Sequence, residues 1–262
     1  MCKQILGVHR KSSNVATLSE LGRYSLKLDI QKTITKYLLR FNILDKDRLA
    51  YKAYQEEMNN LSFRKNWINY SKTMLDKNGL SFIFLNHIDC KYTSKQIIDK
   101  VIETLETRNK DIFKQVIMHH IHNSSNTNAG KLRFYGTLKE NFDKEIYLNI
   151  KNFNNRKALS ELRMSAHKLE IEKGRYVNVN RNDRICRNCD SGLIEDEKHF
   201  ILKCSAYSVH REGLFSFICQ ELGIDLKHSG LDGIKAISLQ KDVNIMNKLA
   251  VFIRNCWEKR SS

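Results

Sequence analysis

Proline is absent from this chain of 262 residues. At the average usage of about 5%, a chain of this length carries roughly 13 prolines. Its absence excludes proline-rich linkers, polyproline ligands and native cis-proline turns. Because proline breaks helix interiors, a chain without it is also compatible with a mainly helical fold.

Long apolar runs are missing as well. No stretch reaches the roughly 18 to 20 apolar residues that span a membrane, and the segment MCKQILGVHRKSS has neither the apolar core nor the cleavage site of a secretory signal. We therefore expect an intracellular protein, in the cytoplasm or the nucleus, with no membrane partner. Its seven cysteines are then not expected to form disulfides, which leaves metal binding or burial to explain them.

The familiar catalytic signatures are also absent. Polymerases hold two divalent ions with paired aspartates, and this sequence contains no Asp-Asp dipeptide. It also lacks a Walker loop, a GxSxG elbow and a dinucleotide-binding fingerprint. We therefore expect no enzymatic activity and no small-molecule substrate.

Positive charge, by contrast, is abundant. The chain has 45 Lys and Arg against 29 Asp and Glu, which gives a net charge of +16. Such a surplus favours a polyanionic partner, with RNA or DNA as the first candidate. Residues 1–175 hold 32 of the basic and 18 of the acidic side chains, and the remaining 87 residues hold 13 and 11. The predicted backbone-binding surface therefore lies in the first 175 residues.

Apolar residues recur at steps of three and four through most of the chain, which is typical of amphipathic helices. The best-defined helix covers residues 26–41, and its predicted buried face consists of Ile30, Ile34, Tyr37, Leu38 and Phe41. Its opposite face carries basic residues that we expect to contact nucleic-acid phosphates, namely Lys32, Lys36 and Arg40.

The predicted fold class is mainly α, with three parts. A basic helical region covers residues 1–175, a small CCHC zinc-binding module covers 176–215, and C-terminal helices cover 216–262. Further helices are predicted at 47–60, 64–78, 93–105 with 112–117 as a continuation or a new helix, 132–149, 155–169, 207–222 and 243–259. The best strand candidate is SFIFL at 81–85, and the polar run at 123–130 predicts a loop.

A C-x2-C pair followed by an H-x4-C pair is the most informative pattern in the sequence. The four residues are Cys186, Cys189, His199 and Cys204. Thiolate and imidazole are the ligands that zinc prefers, and four of them close a tetrahedral site with no position for water. We therefore predict one structural Zn²⁺. His210 is an alternative fourth ligand, and the alternative to a metal site is three small core cysteines beside an unrelated histidine.

Basic residues surround these ligands in the sequence. They are Arg184, Arg187, Lys203 and Arg211. Arginine contacts phosphate bidentately and stacks on bases, so we predict that these side chains bind nucleic acid. The alternative is an ordinary mixed surface, because six acidic residues balance the charge of this segment. Phe200 is expected to pack beneath the zinc, and the histidines at 119–122 are expected to form a polar helix edge.

The pattern C-x2-C, IEDE, H-F-x3-C, followed by Tyr207 and Arg211, resembles the zinc-binding segment downstream of the reverse transcriptase domain in non-LTR retrotransposon polyproteins. The segments CKQILGV at 2–8, ELGRY at 20–24 and LRMSAHKLEIEKGRY at 162–176 are similar to the region between polymerase and zinc segment in those families, and LAVFIRNCWEKR at 249–260 is similar to their terminal helix. The motif residues that match within 162–176 are Arg163, Ser165, His167, Glu170, Glu172 and Arg175.

The resemblance implies a region that lies downstream of a polymerase active site without containing it. Such a region would hold template RNA or target DNA beside a polymerase domain supplied elsewhere. The alternative from another functional class is a zinc-stabilised protein-interaction module with no nucleic-acid role, whose positive charge serves solubility. The sequence alone assigns no role to the motif residues at 162–176.

Overall fold

The computed structural model describes residues 1–60, 66–83, 93–122 and 130–261. These residues form α-helices linked by turns, with no strand beyond two isolated bridges, which confirms the mainly α prediction. The α-helices are α1 Cys2–Leu6, α2 Asn14–Glu20, α3 Leu26–Asn42, α4 Leu49–Asn59, α5 Trp67–Lys77, α6 Ser94–His122, α7 Arg133–Leu138, α8 Phe153–Arg163, α9 Glu170–Tyr176, α10 Ser208–Leu222, α11 Leu226–Ser238 and α12 Val243–Ser261.

Four predicted elements differ from the structure or fall partly outside it, and one of them is the helix predicted at 155–169, which ends at Arg163. Ser81–Ile83 forms a 3₁₀ turn, while the rest of the strand candidate and nearly all of the predicted loop at 123–130 lie outside the described residues. The helix predicted at 132–149 is wrong beyond α7. The chain becomes extended at Lys139, whose ammonium donates to the Asp143 carbonyl and to Glu145 at 2.5 Å each, and this contact closes a loop where helix was expected.

The chain divides into two compact units. The first unit consists of residues 1–23 and 113–262, and the second of residues 24–112. This division differs from the predicted boundaries at 175 and 215. The reason is one apolar core of the first unit that runs across both positions, from Phe134 through Phe200 to Cys256.

Helices α8 and α12 lie at the centre of the first unit and pack along each other. Leu159 and Leu162 of α8, together with Ala250 and Ile253 of α12, are almost completely buried. The segment 176–215 with the predicted zinc ligands (the metal-binding segment) supplies Phe200 and Ile201 to the same core. It is therefore part of a larger packed body and not a separate module.

The second unit has its core between α3, α5 and α6. In α3 the buried residues include Leu28, Leu38 and Leu39, whereas the predicted core residues Ile30 and Tyr37 are 48% and 51% exposed. The observed buried face differs from the predicted one because it includes two polar residues, Gln31 and Thr35. A prediction from the spacing of apolar residues leaves such positions out. One of these, Thr35, donates its hydroxyl to the Gln31 carbonyl at 3.0 Å, so its burial leaves no unpaired hydroxyl.

No helix in the described part of the chain has both the length and the apolar character needed to cross a membrane.

Candidate metal centre

A short pairing of two chain segments positions the first two cysteines. An antiparallel bridge joins Ile185 to Ile194, with the Cys186 amide donating to the Leu193 carbonyl at 2.9 Å. The chain reverses between them at Gly192, whose φ of +65° favours glycine. This turn directs the C-x2-C pair to one side.

A π-helical turn positions the other two ligands. Residues His199–Lys203 form a π-helix, and the Cys204 amide donates to the His199 carbonyl at 2.8 Å. In an α-helix, residues five apart lie well away from each other around the axis, whereas the i→i+5 bond of a π turn brings them close together. In this chain the wider turn brings His199 and Cys204 of the H-x4-C pair together, which the sequence reasoning did not foresee.

The four predicted ligand residues meet at one point. The sulfur atoms of Cys186 and Cys204 are 3.8 Å apart, and the Cys189 sulfur is 3.4 Å from Nε2 of His199. All four ligand atoms lie within 4.8 Å of one another. A tetrahedron with Zn–S of about 2.3 Å and Zn–N of about 2.0 Å has S···S edges of about 3.8 Å and S···N edges of about 3.5 Å. The donor set therefore fits a four-coordinate metal ion.

Burial and orientation also suit a closed site. Cys186, His199 and Cys204 are buried and Cys189 is half-buried. The Nδ1 atom of His199 is buried and has no hydrogen-bond partner in the described part of the chain, so Nε2 is the ring nitrogen that faces the sulfurs. His210 lies outside the group of four, which leaves His199 as the histidine ligand.

Without a bound metal ion, the thiols of the three clustered cysteines have different pKa values. Burial raises the pKa of the Cys186 thiol to about 12 and also raises that of Cys204. At Cys189 desolvation by burial, which raises the pKa, is outweighed by the hydrogen bonds from Ser191 and from the two other thiols together, and these lower the pKa to about 6. A bound cation would favour the thiolate at all three positions.

A buried carboxylate beside the ligands connects the site to the end of α12. Oε1 of Glu195 lies 3.4 Å from the Cys186 sulfur and accepts a hydrogen bond from Asn188 at 2.9 Å. Arg260 binds the same carboxylate through both terminal nitrogens, one at 2.8 Å. The pKa of Glu195 is lowered although burial opposes this, because Arg260 donates to it and the Glu170 amide adds a further bond.

Two of the predicted nucleic-acid contacts are instead structural, which corrects the expectation for them. Arg184 is 5% exposed and donates to the Val179 carbonyl and to the Ile171 carbonyl. Arg211 is 8% exposed and donates to carbonyls of the π turn, at 2.8 Å for Ile201 and 2.7 Å for Cys204. Both guanidinium groups satisfy buried backbone oxygens, so neither presents its charge on the surface.

The remaining predicted contacts divide by exposure. Lys32 is engaged within the second unit, because its ammonium lies 2.8 Å from Glu106 and its side chain is only 22% exposed, which corrects its assignment to an open basic face. Arg187 is 82% exposed, with Glu170 at 3.8 Å. The other three side chains are exposed: Lys36, Arg40 and Lys203.

Aromatic residues of the site pack into the core. Phe200 is fully buried and stacks on Trp257 of α12, with ring centroids 4.5 Å apart and an interplanar angle of 16°. Phe200 is therefore a core residue, and its placement beneath a zinc ion stays a prediction. The residues 119–122 lie at the end of α6, and none of them belongs to a metal-binding group in the described ranges.

The motif at 162–176 forms buried ion-pair networks, which the sequence reasoning missed. Arg163 is 1% exposed and binds both oxygens of Glu20 at 3.1 Å and one oxygen of Glu145 at 3.0 Å. Since Glu20 belongs to ELGRY and Arg163 to LRMSAHKLEIEKGRY, two of the recognised segments meet in this contact.

A second network joins the motif to the metal-binding segment. Nε2 of His167 lies 3.1 Å from Glu197, which also accepts from Arg133 at 2.6 Å. Arg175 binds Glu172 at 2.8 Å. The signal available in the sequence was a cluster of charged residues of both signs, which by itself does not separate a buried network from a solvated helix face.

The chain matches no protein-family model, no curated protein and no solved structure.

Proposed function

We propose that Cys186, Cys189, His199 and Cys204 bind one structural Zn²⁺. The observation that carries this proposal is the convergence of three sulfurs and one imidazole nitrogen within 4.8 Å, a donor set that zinc prefers over harder cations. Full occupation by four protein ligands leaves no place for a reactive water, so the ion would hold the fold together and supply no catalysis.

Elemental analysis of freshly purified protein tests this proposal. We expect one equivalent of zinc per chain, and competition with cobalt should give the absorption of a tetrahedral thiolate complex. Protein that is folded, contains no metal and takes up no cobalt would contradict the site.

We further propose that the chain is a nucleic-acid-binding region similar in role to the part downstream of the active site in non-LTR retrotransposon reverse transcriptases. The support is the +16 charge, the exposure of Lys36, Arg40 and Arg187, and the sequence resemblance in several segments. Binding would be mostly to the phosphate backbone, would need no catalytic residue of this chain, and would place RNA or DNA beside a polymerase domain.

Filter binding to RNA and DNA at low salt tests the nucleic-acid role. We expect affinity well above that of a neutral helical control protein, falling steeply as salt rises because counterions are released. Affinity equal to the control would refute this part of the proposal and leave the zinc site standing.

One observation favours a second candidate, a zinc-stabilised protein-interaction module. The second unit contains an apolar groove of about 520 Å³ whose aromatic lining consists of Tyr37, Phe41, Tyr54 and Trp67. The double variant Lys36→Glu, Arg40→Glu distinguishes the candidates. A large loss of oligonucleotide affinity supports the nucleic-acid role, whereas unchanged weak affinity assigns the positive charge to solubility.

A further inference from the structure

A second pocket in the unit 24–112 has an unusual charge composition. Its volume is about 340 Å³, and its lining comes from α3, α5 and α6. Each helix contributes one cation, namely Lys27, Lys77 and Arg108. None of the described residues that line it is acidic. Three cations that line one pocket, with no carboxylate among the described lining residues, favour the binding of an anion there.

The guanidinium of Arg108 is held in place by the end of α5. Its Nη1 donates to the Lys77 carbonyl and to Oδ1 of Asn78, the latter at 2.9 Å. These bonds fix the charge, and the described residues supply no further acceptor for its Nε and Nη2 atoms. A fixed guanidinium binds an anion at a smaller entropic cost than a mobile one.

The three cations also differ from Lys32, which lies on the same helix as Lys27. Lys32 is neutralised by Glu106 at 2.8 Å, whereas Lys27, Lys77 and Arg108 make no ion pair with a carboxylate in the described ranges. Their charges are therefore available to a ligand, and an incoming anion would not have to displace a protein carboxylate.

Uncharged donors complete the lining. Hydroxyl and amide groups are supplied by Ser25, Gln31, Thr73 and Asn109. The pocket wall also includes Met74 and Leu105, which are 5% and 1% exposed, whereas the three cations are solvent-exposed. A phosphoryl group has several acceptor oxygens and negative charge, which matches a mixture of fixed cations and neutral donors.

We propose that this pocket binds a phosphoryl anion. If the proposed nucleic-acid role holds, the backbone phosphodiester is the source of that group, and the inference then deepens that role. A small phosphorylated molecule would present the same chemistry, so the experiment includes an arm for each source.

The test uses the full chain and three variants. Lys27→Gln with Lys77→Gln removes two charges and leaves the contacts of Arg108 intact, and Arg108→Gln is examined separately. Lys110→Gln is the matched control, because Lys110 is an exposed cation on the same helix as Arg108 and does not line the pocket. Circular dichroism first establishes that each variant is folded like the parent.

Binding is measured by fluorescence anisotropy with labelled single-stranded RNA and DNA between 50 and 300 mM KCl, and by calorimetry with inorganic pyrophosphate. We expect the double variant to lose roughly tenfold or more in oligonucleotide affinity, and its slope of log K against log salt to fall by about 0.7 per cation removed. The Lys110→Gln control should change affinity by less than about twofold.

The outcomes separate this inference from the proposed function. Oligonucleotide binding by the parent that survives unchanged in both pocket variants overturns the pocket and leaves the proposed function standing. Pyrophosphate binding that is lost in the variants, in a parent with no oligonucleotide affinity, supports the pocket for a small phosphorylated ligand and refutes the nucleic-acid role. Absence of binding to all probes refutes both.

Discussion

Cys189 is the half-buried member of the four ligand residues, so its substitution tests the metal with little direct damage to the core. We expect Cys189→Ser to lose bound zinc, because a serine hydroxyl remains protonated and is a poor zinc ligand. Elemental analysis of the purified variant measures this. Cys219→Ser, at an exposed cysteine outside the site, should retain a full equivalent of metal, and equal metal content in both variants would contradict the assignment.

Arg163 neutralises two carboxylates that are largely out of contact with water. Arg163→Met should lower the free energy of unfolding by about 3–5 kcal/mol, because Glu20 and Glu145 would be left without their shared cation. Urea denaturation measures the change.

The control for this prediction is the exposed pair Lys235–Glu140, whose side chains are 43% and 49% accessible. Lys235→Gln should change the free energy of unfolding by no more than about 0.5 kcal/mol. A loss at Arg163 as small as this would mean that the buried network contributes little to stability.

The sequence could predict which four Cys and His residues cluster but not these ion pairs, because the four residues are close in sequence and the ion-pair partners are far apart. Cys186 to Cys204 form a local pattern whose residue types have few other uses. Glu20 and Arg163 lie 143 positions apart, and the residues around each of them do not indicate which oppositely charged side chain it pairs with. Arg184 and Arg211 show the same limit, because their positions beside the ligands do not reveal that they face inward.

At the scale of elements, the π turn depends on one side chain from α10. Its carbonyls at Phe200, Ile201 and Cys204 all accept from Arg211. We expect Arg211→Gln to destabilise the first unit by about 2 kcal/mol, because buried carbonyls would lose their donor. Urea denaturation followed by Trp257 fluorescence, in a Trp67→Phe background, measures this.

Lys203→Gln is the matched control, since Lys203 is exposed and lies in the same π turn. It should change stability by less than about 0.5 kcal/mol. If the two variants unfold at the same urea concentration, Arg211 does not stabilise the turn in the way described.

Periodicity predicted most helices but not the details that matter for the site. The segments 26–41, 207–222 and 243–259 are helical as expected. Apolar spacing failed where polar residues are buried, as at Gln31 and Thr35, and it does not distinguish an α turn from a π turn. The helix predicted at 155–169 ends at Arg163, and Ser165 then takes a positive φ of 51°. The identity of this residue as serine does not predict that conformation.

At the scale of the whole molecule, the metal-binding segment shares its core with α8 and α12. A self-contained zinc module would predict that metal loss unfolds only residues 180–215. With this shared core, chelation of the ion should instead increase hydrogen exchange in α8 and α12 as well, while α5 in the second unit should remain unchanged. Hydrogen–deuterium exchange with and without a chelator measures this. Protection retained in α8 and α12 would mean that metal loss unfolds only residues 180–215.

The first unit contains residues from both ends of the described chain, so its two segments are synthesised at well-separated times. At about 5–20 residues per second, Glu20 is synthesised roughly 7 to 30 s before Arg163. All of residues 24–112 are produced before Phe113, Leu132 and Tyr135, which are among the core partners of Leu6 and Ala16 from outside the segment 1–23. Nascent chains paused before residue 113 should therefore leave these core residues without those partners and be bound by chaperones more strongly than the finished protein.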